Sequence, residues 1–186
     1  SKNFILGMQE VVEDIYMILY NPPHAKVLLS LEEISLLKQS VQNLVGIKCA
    51  GGDEQWYSQR RELLDDFSVF VPGHTVVYGK PLGANGSYSN VACLSPNGAV
   101  KIWDLIEKDY EKAQELEAKV LNFMKQYILP FANKLSNTGL DKLLASVGGW
   151  GPVSEKVLWP YDGATAEDVK KIKIHANNEL EEILNV

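Results

Sequence analysis

Four short apolar runs constrain this chain more than any other feature, because each is closed by a turn signal and followed by helical periodicity. They fall near residues 15–20, 43–48, 67–72 and 83–92. The first is stopped by Asn21-Pro22-Pro23, the second by Gly51-Gly52-Asp53 and the third by Pro72-Gly73. The fourth is glycine-rich and leads to Ser95-Pro96. Apolar runs of this length between breakers are strands covered on both faces. Their alternation with helices, at a repeat of roughly 25 residues, predicts βα units on a parallel sheet with right-handed crossovers.

The intervening helices announce themselves by their caps. Ser30-Leu31-Glu32-Glu33 is a capping box opening a helix with Leu31, Ile34, Leu37 and Val41 inward. Asp53 caps a helix through Trp56, Arg60, Leu63 and Leu64, and Ser95-Pro96 is a strong helix start. A leading helix carries Phe4, Ile5, Met8, Val11 and Val12, and Pro81 limits a short one over 76–82. Beyond Ala99 the strands cease. Helices are expected through Ile102, Leu105 and Ile106, then from Ala113 to near Pro130, and from Gly139 to Val147. A last one, capped at Thr165, carries Val169, Ile172, Leu180 and Ile183. The expected division is therefore a sheet-bearing region over 1–108 and a helical region over 109–186 packed on it, within one structural unit. A length of 186 residues suffices for one core.

Bulk properties remove several function classes. A net charge of -6 leaves no basic face for phosphates, so a nucleic-acid partner is not expected. No run of eighteen apolar residues exists to span a membrane, and no signal-peptide pattern is visible. Cys49 and Cys93 have no metal-ligand spacing and read as free thiols of a reducing cytoplasm. His24, His74 and His175 lack a carboxylate or cysteine at ligand spacing, so neither metal nor cofactor is expected.

Lys48 is the anomaly. It lies inside Val45-Gly46-Ile47-Lys48-Cys49-Ala50, where a buried strand should hold no charge. Two readings stand on this stretch alone. A strand-end lysine can carry its ammonium out to water along its own stem. Alternatively, desolvation favours the neutral amine, a nucleophile that condenses with a carbonyl. Tyr20, at the end of the first run, is equally open between packing under the next loop and proton transfer.

Order and spacing together carry a resemblance. Tyr20-Asn21-Pro22-Pro23 ends one strand, and 28 positions after the tyrosine Gly46-Ile47-Lys48 ends another. A strand ending at Gly73 follows, then Gly83-Ala84-Asn85-Gly86-Ser87-Tyr88-Ser89, then only helices. This resembles the dihydrodipicolinate synthase / N-acetylneuraminate lyase family of class I Schiff-base aldolases. The resemblance covers the whole chain but only the second half of that family's (β/α)8 TIM barrel, about four βα units, and its helical tail. It implies a lyase in which Lys48 forms a Schiff base with a 2-oxo acid such as pyruvate and Tyr20 shuttles a proton. Backbone around Tyr88 and Gly73 would line the substrate pocket, and a homo-oligomer is expected.

The sequence departs from the pattern at Ala25, where true synthases place an arginine that holds the second substrate's carboxylate. An aldolase or dehydratase for another 2-oxo acid is therefore expected. The family's Gly-Thr-Thr-Gly-Glu segment and second tyrosine have no match. With four of eight strands and no initiator Met, the chain is expected to be the C-terminal part of a longer enzyme, with little activity alone. Two other readings remain. One is a non-catalytic relative that binds a 2-oxo acid or serves in assembly. The other is an unrelated doubly wound domain with its ligand at a topological switch point.

Overall fold

The computed structural model describes residues 2–12 and 14–185. The chain divides into two compact units, residues 1–72 with 79–88 and residues 73–78 with 89–186.

The first unit opens with α1 (Lys2–Val12), β1 (Met17–Asn21), α2 (Leu31–Ser40) and β2 (Leu44–Cys49). It continues with α3 (Glu54–Leu63) and β3 (Ser68–Pro72) and ends on β4 (Gly86–Tyr88). Its four strands are parallel and lie in the order β1-β2-β3-β4. Strand order follows chain order with no reversal, so the sheet has no topological switch point, and this overturns the doubly wound reading. Ile47, Val69 and Val71 are buried, as continuous apolar strands require.

The helix caps stand where their residues dictate. Ser30 and Glu33 form the reciprocal box at α2, and Leu31, Ile34, Leu37 and Val41 are all buried. The Asp53 carboxylate accepts the Trp56 N–H at 2.9 Å to open α3. Asn21 is buried and clamps the loop after β1, donating to Leu29 O at 3.0 Å and accepting from Leu29 N at 3.1 Å.

The fourth strand is shorter than the run over 83–92 predicts. Only Gly86–Tyr88 pairs with β3, and Ser89 caps a short helix by accepting from the Ala92 N–H at 3.1 Å. Arg60 fixes this strand's entry. Arg60 is 5 % exposed, and its Nη2 donates to Gly83 O at 2.6 Å and to Asn85 Oδ1 at 3.3 Å. Asn85 in turn accepts from Val69 N and donates its own N–H to Val69 O, extending the β3–β4 ladder. Burial, with Arg61 beside it, pulls the Arg60 guanidinium below its ordinary value. Replacing Arg60 with methionine strands the Gly83 carbonyl and leaves Asn85 Oδ1 only its bond from Val69 N, and is expected to cost about 1–3 kcal/mol, read by urea unfolding. An unchanged midpoint would contradict the network.

Helix α4 (Val76–Leu82) carries Pro81 inside it and follows a 3-10 turn at Gly73–Thr75. The second unit holds α5 (Asn90–Leu94), α6 (Pro96–Lys108), α7 (Tyr110–Phe123), α8 (Asn137–Gly148), α9 (Ala166–Glu179) and α10 (Glu181–Leu184). Its core includes Leu94, Ile102, Leu116, Val120, Phe123, Leu143, Val147, Ile172 and Ile183. Buried Ser95 caps α6 through the Gly98 N–H at 3.0 Å and donates to Ile183 O at 2.8 Å, tying α6 to α10. The long helix passes through a π-helical turn at Met124–Ile128 and a 3-10 turn at Leu129–Phe131. Thr165 and Asp168 form the capping box of the last long helix, which breaks at Leu180 into α9 and α10.

An ion network holds α10. Glu182 meets Lys112 at 2.8 Å and Lys119 at 2.7 Å, and both lysines also reach Glu115. The two ammonium groups pull the Glu182 carboxyl down to about 2 from an ordinary 4.5. A carboxyl depressed by folding stabilises fully above its unfolded value and loses that contribution as pH falls through its folded one. Glu182→Gln is therefore expected to lower the melting temperature at pH 7, with the deficit shrinking as pH falls from about 4.5 toward 2. A deficit that stays constant down to pH 2 would contradict this.

Candidate active site

Strand register builds the site. Tyr20 pairs with Lys48, Lys48 with Phe70 and Phe70 with Gly86, so one row crosses all four strands. In-register neighbours of parallel strands share a face, as do residues two apart. That face therefore also carries Ile18, Gly46, Ser68 and Tyr88. Tyr20 and Lys48 are each the penultimate residue of their strand, at the carboxyl end.

The side chains converge. Lys48 Nζ lies 4.4 Å from the Tyr20 ring centroid and 5.4 Å from that of Tyr88. Two electron-rich tyrosine rings thus lie beside the amine, both within cation–π range. Lys48 is half-buried, whereas Tyr20 is 55 % and Tyr88 50 % exposed. His24, from the following loop, meets the Tyr20 ring edge-on at 6.5 Å between centroids. Next to Lys48 in sequence, Cys49 is a buried free thiol whose burial pushes it above its ordinary value.

Phe70 is the residue that sequence reading missed. It stacks edge-to-face on Tyr88, centroids 5.4 Å apart at 65°. The signal was in two glycines on the same face. A Cβ at Gly86 would meet Phe70 Cε1 at 2.9 Å, and one at Gly46 would lie 3.5 Å from Phe70 Cε2. The ring lies across the sheet because its strand neighbours have no side chains.

Of the four residues singled out from sequence, Tyr20, Lys48 and Tyr88 are brought together. Gly73 stands in the second unit, buried in its 3-10 turn, where a Cβ would overlap the Ser89 side chain. His74 beside it pairs with Asn90 through Nδ1. Ala25 sits in a turn, its N–H donating to Pro22 O at 2.9 Å. Among the described residues, no group of three or more His, Cys, Asp or Glu could hold a metal ion. Among the described residues, no helix is long and apolar enough to cross a membrane.

Successive parallel βα units, with a lysine and a tyrosine at the carboxyl ends of adjacent strands, are the unit from which a (β/α)8 barrel is built. The chain belongs to the dihydrodipicolinate synthetase family, whose model matches residues 8–175. It is 33 % identical over 102 residues to a 4-hydroxy-tetrahydrodipicolinate synthase of Teredinibacter turnerae, a match covering 53 % of this chain and 35 % of that protein. N-acetylneuraminate lyase from Fusobacterium nucleatum has the same fold, with a TM-score of 0.73 at 17 % identity over 96 % of this chain and 59 % of the lyase. So does a prophage dihydrodipicolinic acid synthase family protein from E. coli K12, solved in complex with pyruvate. Its TM-score is 0.74 at 21 % identity, over 97 % of this chain and 62 % of that protein. The chain thus spans about a third of the curated relative's length in the matched region and about three fifths of the solved relatives'. The fold is that of the TIM-barrel family, present here as four βα units and a helical tail.

Proposed function

We propose that the chain carries the carbonyl-capturing half of a lyase active site, in which Lys48 forms a Schiff base with a 2-oxo acid such as pyruvate. The observation that carries this is the Lys48 amine, half-buried at a strand's carboxyl end and 4.4 Å from the Tyr20 ring, in a chain of this family. The neutral amine attacks the ketone carbon, and the carbinolamine loses water to give an iminium, an electron sink for carbon–carbon cleavage or formation. Tyr20 shuttles the proton between substrate oxygen and the reacting atoms. The backbone at Tyr88 lines the 2-oxo acid's pocket. Ala25 supplies no charge for a second carboxylate, which favours an acceptor other than the synthase's. Pyruvate, bound in two of the solved relatives, is the natural first probe.

The length shared with the solved relatives supports low turnover by this chain alone, with capture retained. Homo-oligomerisation and a cytoplasmic location complete the reading. The test is incubation with pyruvate and borohydride, followed by intact mass. One reduced adduct per chain is expected. An unmodified chain that still binds pyruvate would favour the non-catalytic relative instead.

A further inference from the structure

We propose that the Phe70–Tyr88 ring pair beside Lys48 is a subsite for an aromatic group, so that the chain captures aryl-bearing 2-oxo acids in preference to alkyl ones. This rests on the reading of Lys48 as the carbonyl-capturing amine. Three observations carry it. Tyr88 leaves half its surface exposed on the face that bears the amine, although rings of this size ordinarily bury most of theirs. Its centroid is 5.4 Å from Lys48 Nζ, within reach of a ring carried two bonds beyond a carbonyl carbon attached to that nitrogen. Phe70 holds Tyr88 edge-on and is itself held over Gly46 and Gly86, so the wall is set before a ligand arrives.

The face has little else to offer a substituent. Among the described strand residues that share it, Lys48 alone is charged, and beyond the ring pair its members are Ile18, Tyr20, Leu44, Ser68, Pro72 and glycines. A carboxylate or sugar chain beyond the ketone would find no side-chain ion partner on these strands, whereas a phenyl ring would find a ring edge and face. The Nζ lone pair forms the C–N bond, the ketone oxygen leaves as water with one proton from nitrogen and one from the medium, and added borohydride delivers hydride to the iminium carbon.

The 186-residue chain is treated with borohydride and equal, subsaturating phenylpyruvate, 4-methyl-2-oxopentanoate or pyruvate. Adducts on the Lys48 peptide are counted by mass and normalised to trapping on free Nα-acetyl-lysine. The aryl-to-branched-alkyl ratio is expected at about 2- to 12-fold, the range of one ring–ring contact. It falls to about one in Tyr88→Leu and persists in Tyr88→Phe. A ratio taken on one protein cancels any general loss of folding or amine reactivity. A ratio near one in the wild-type chain, or one unmoved by Tyr88→Leu, overturns the subsite. Pyruvate trapping without aryl preference removes the subsite and leaves Lys48 standing, whereas no Lys48 adduct with any ketone removes both.

Discussion

Lys48→Arg abolishes ketone capture. Arginine keeps the charge and a long stem, and its guanidinium suits the two tyrosine faces as well as an ammonium does. It does not lose its proton near neutral pH, so no lone pair attacks the carbonyl. Loss of a covalent nucleophile costs on the order of 10⁴-fold or more in turnover. In the trapping experiment the expected result is no mass gain at any pyruvate concentration. A melting curve near that of the wild type separates this from misfolding. An adduct of undiminished yield in the arginine variant would place the chemistry on another amine.

Tyr20→Phe separates the ring from the hydroxyl. The phenyl face stays 4.4 Å from the amine, so capture persists, while the proton-transfer group is gone. Removing a positioned acid–base group slows proton transfer by roughly 10²–10⁴-fold. Exchange of the pyruvate methyl protons for deuterium, followed by NMR, reads this step on the chain as it stands, because exchange requires the iminium to pass through its enamine. The expected outcome is an adduct still trapped by borohydride and exchange slowed by at least about 100-fold. Equal exchange in both proteins would leave Tyr20 only its packing role.

Much of the frame was legible in the residues. The runs around Val45 and Val69 read as strands because burial on both faces demands unbroken apolar sequence, and β2 and β3 lie within a residue of the expected bounds. Ser30, Asp53, Ser95 and Thr165 all cap as read, since a capping side chain acts within three residues and needs no tertiary partner. The fourth run was read too long. Its glycines suit a strand or a close approach equally, and Ser89, which ends the strand by opening α5, looks like any small polar residue. Ile15 and Tyr16 were read into β1 but are exposed before it, because apolar character alone does not say where pairing begins.

Pairing across strands was the harder part of the site. Tyr20 and Lys48 could be joined because their spacing matched a family, whereas Phe70 carries no polar signature and enters through register and two neighbouring glycines. Arg60 lay on a helix face that periodicity assigns ambiguously. Its burial depends on carbonyls more than twenty residues away, which no local pattern reports.

The most direct measurement is a crystal structure of the chain soaked with pyruvate and no reductant. Density continuous from Lys48 Nζ to the ketone carbon is expected, with the Tyr20 hydroxyl within hydrogen-bond distance of the adduct. Pyruvate bound elsewhere, beside an unmodified Lys48 turned to solvent, would contradict this.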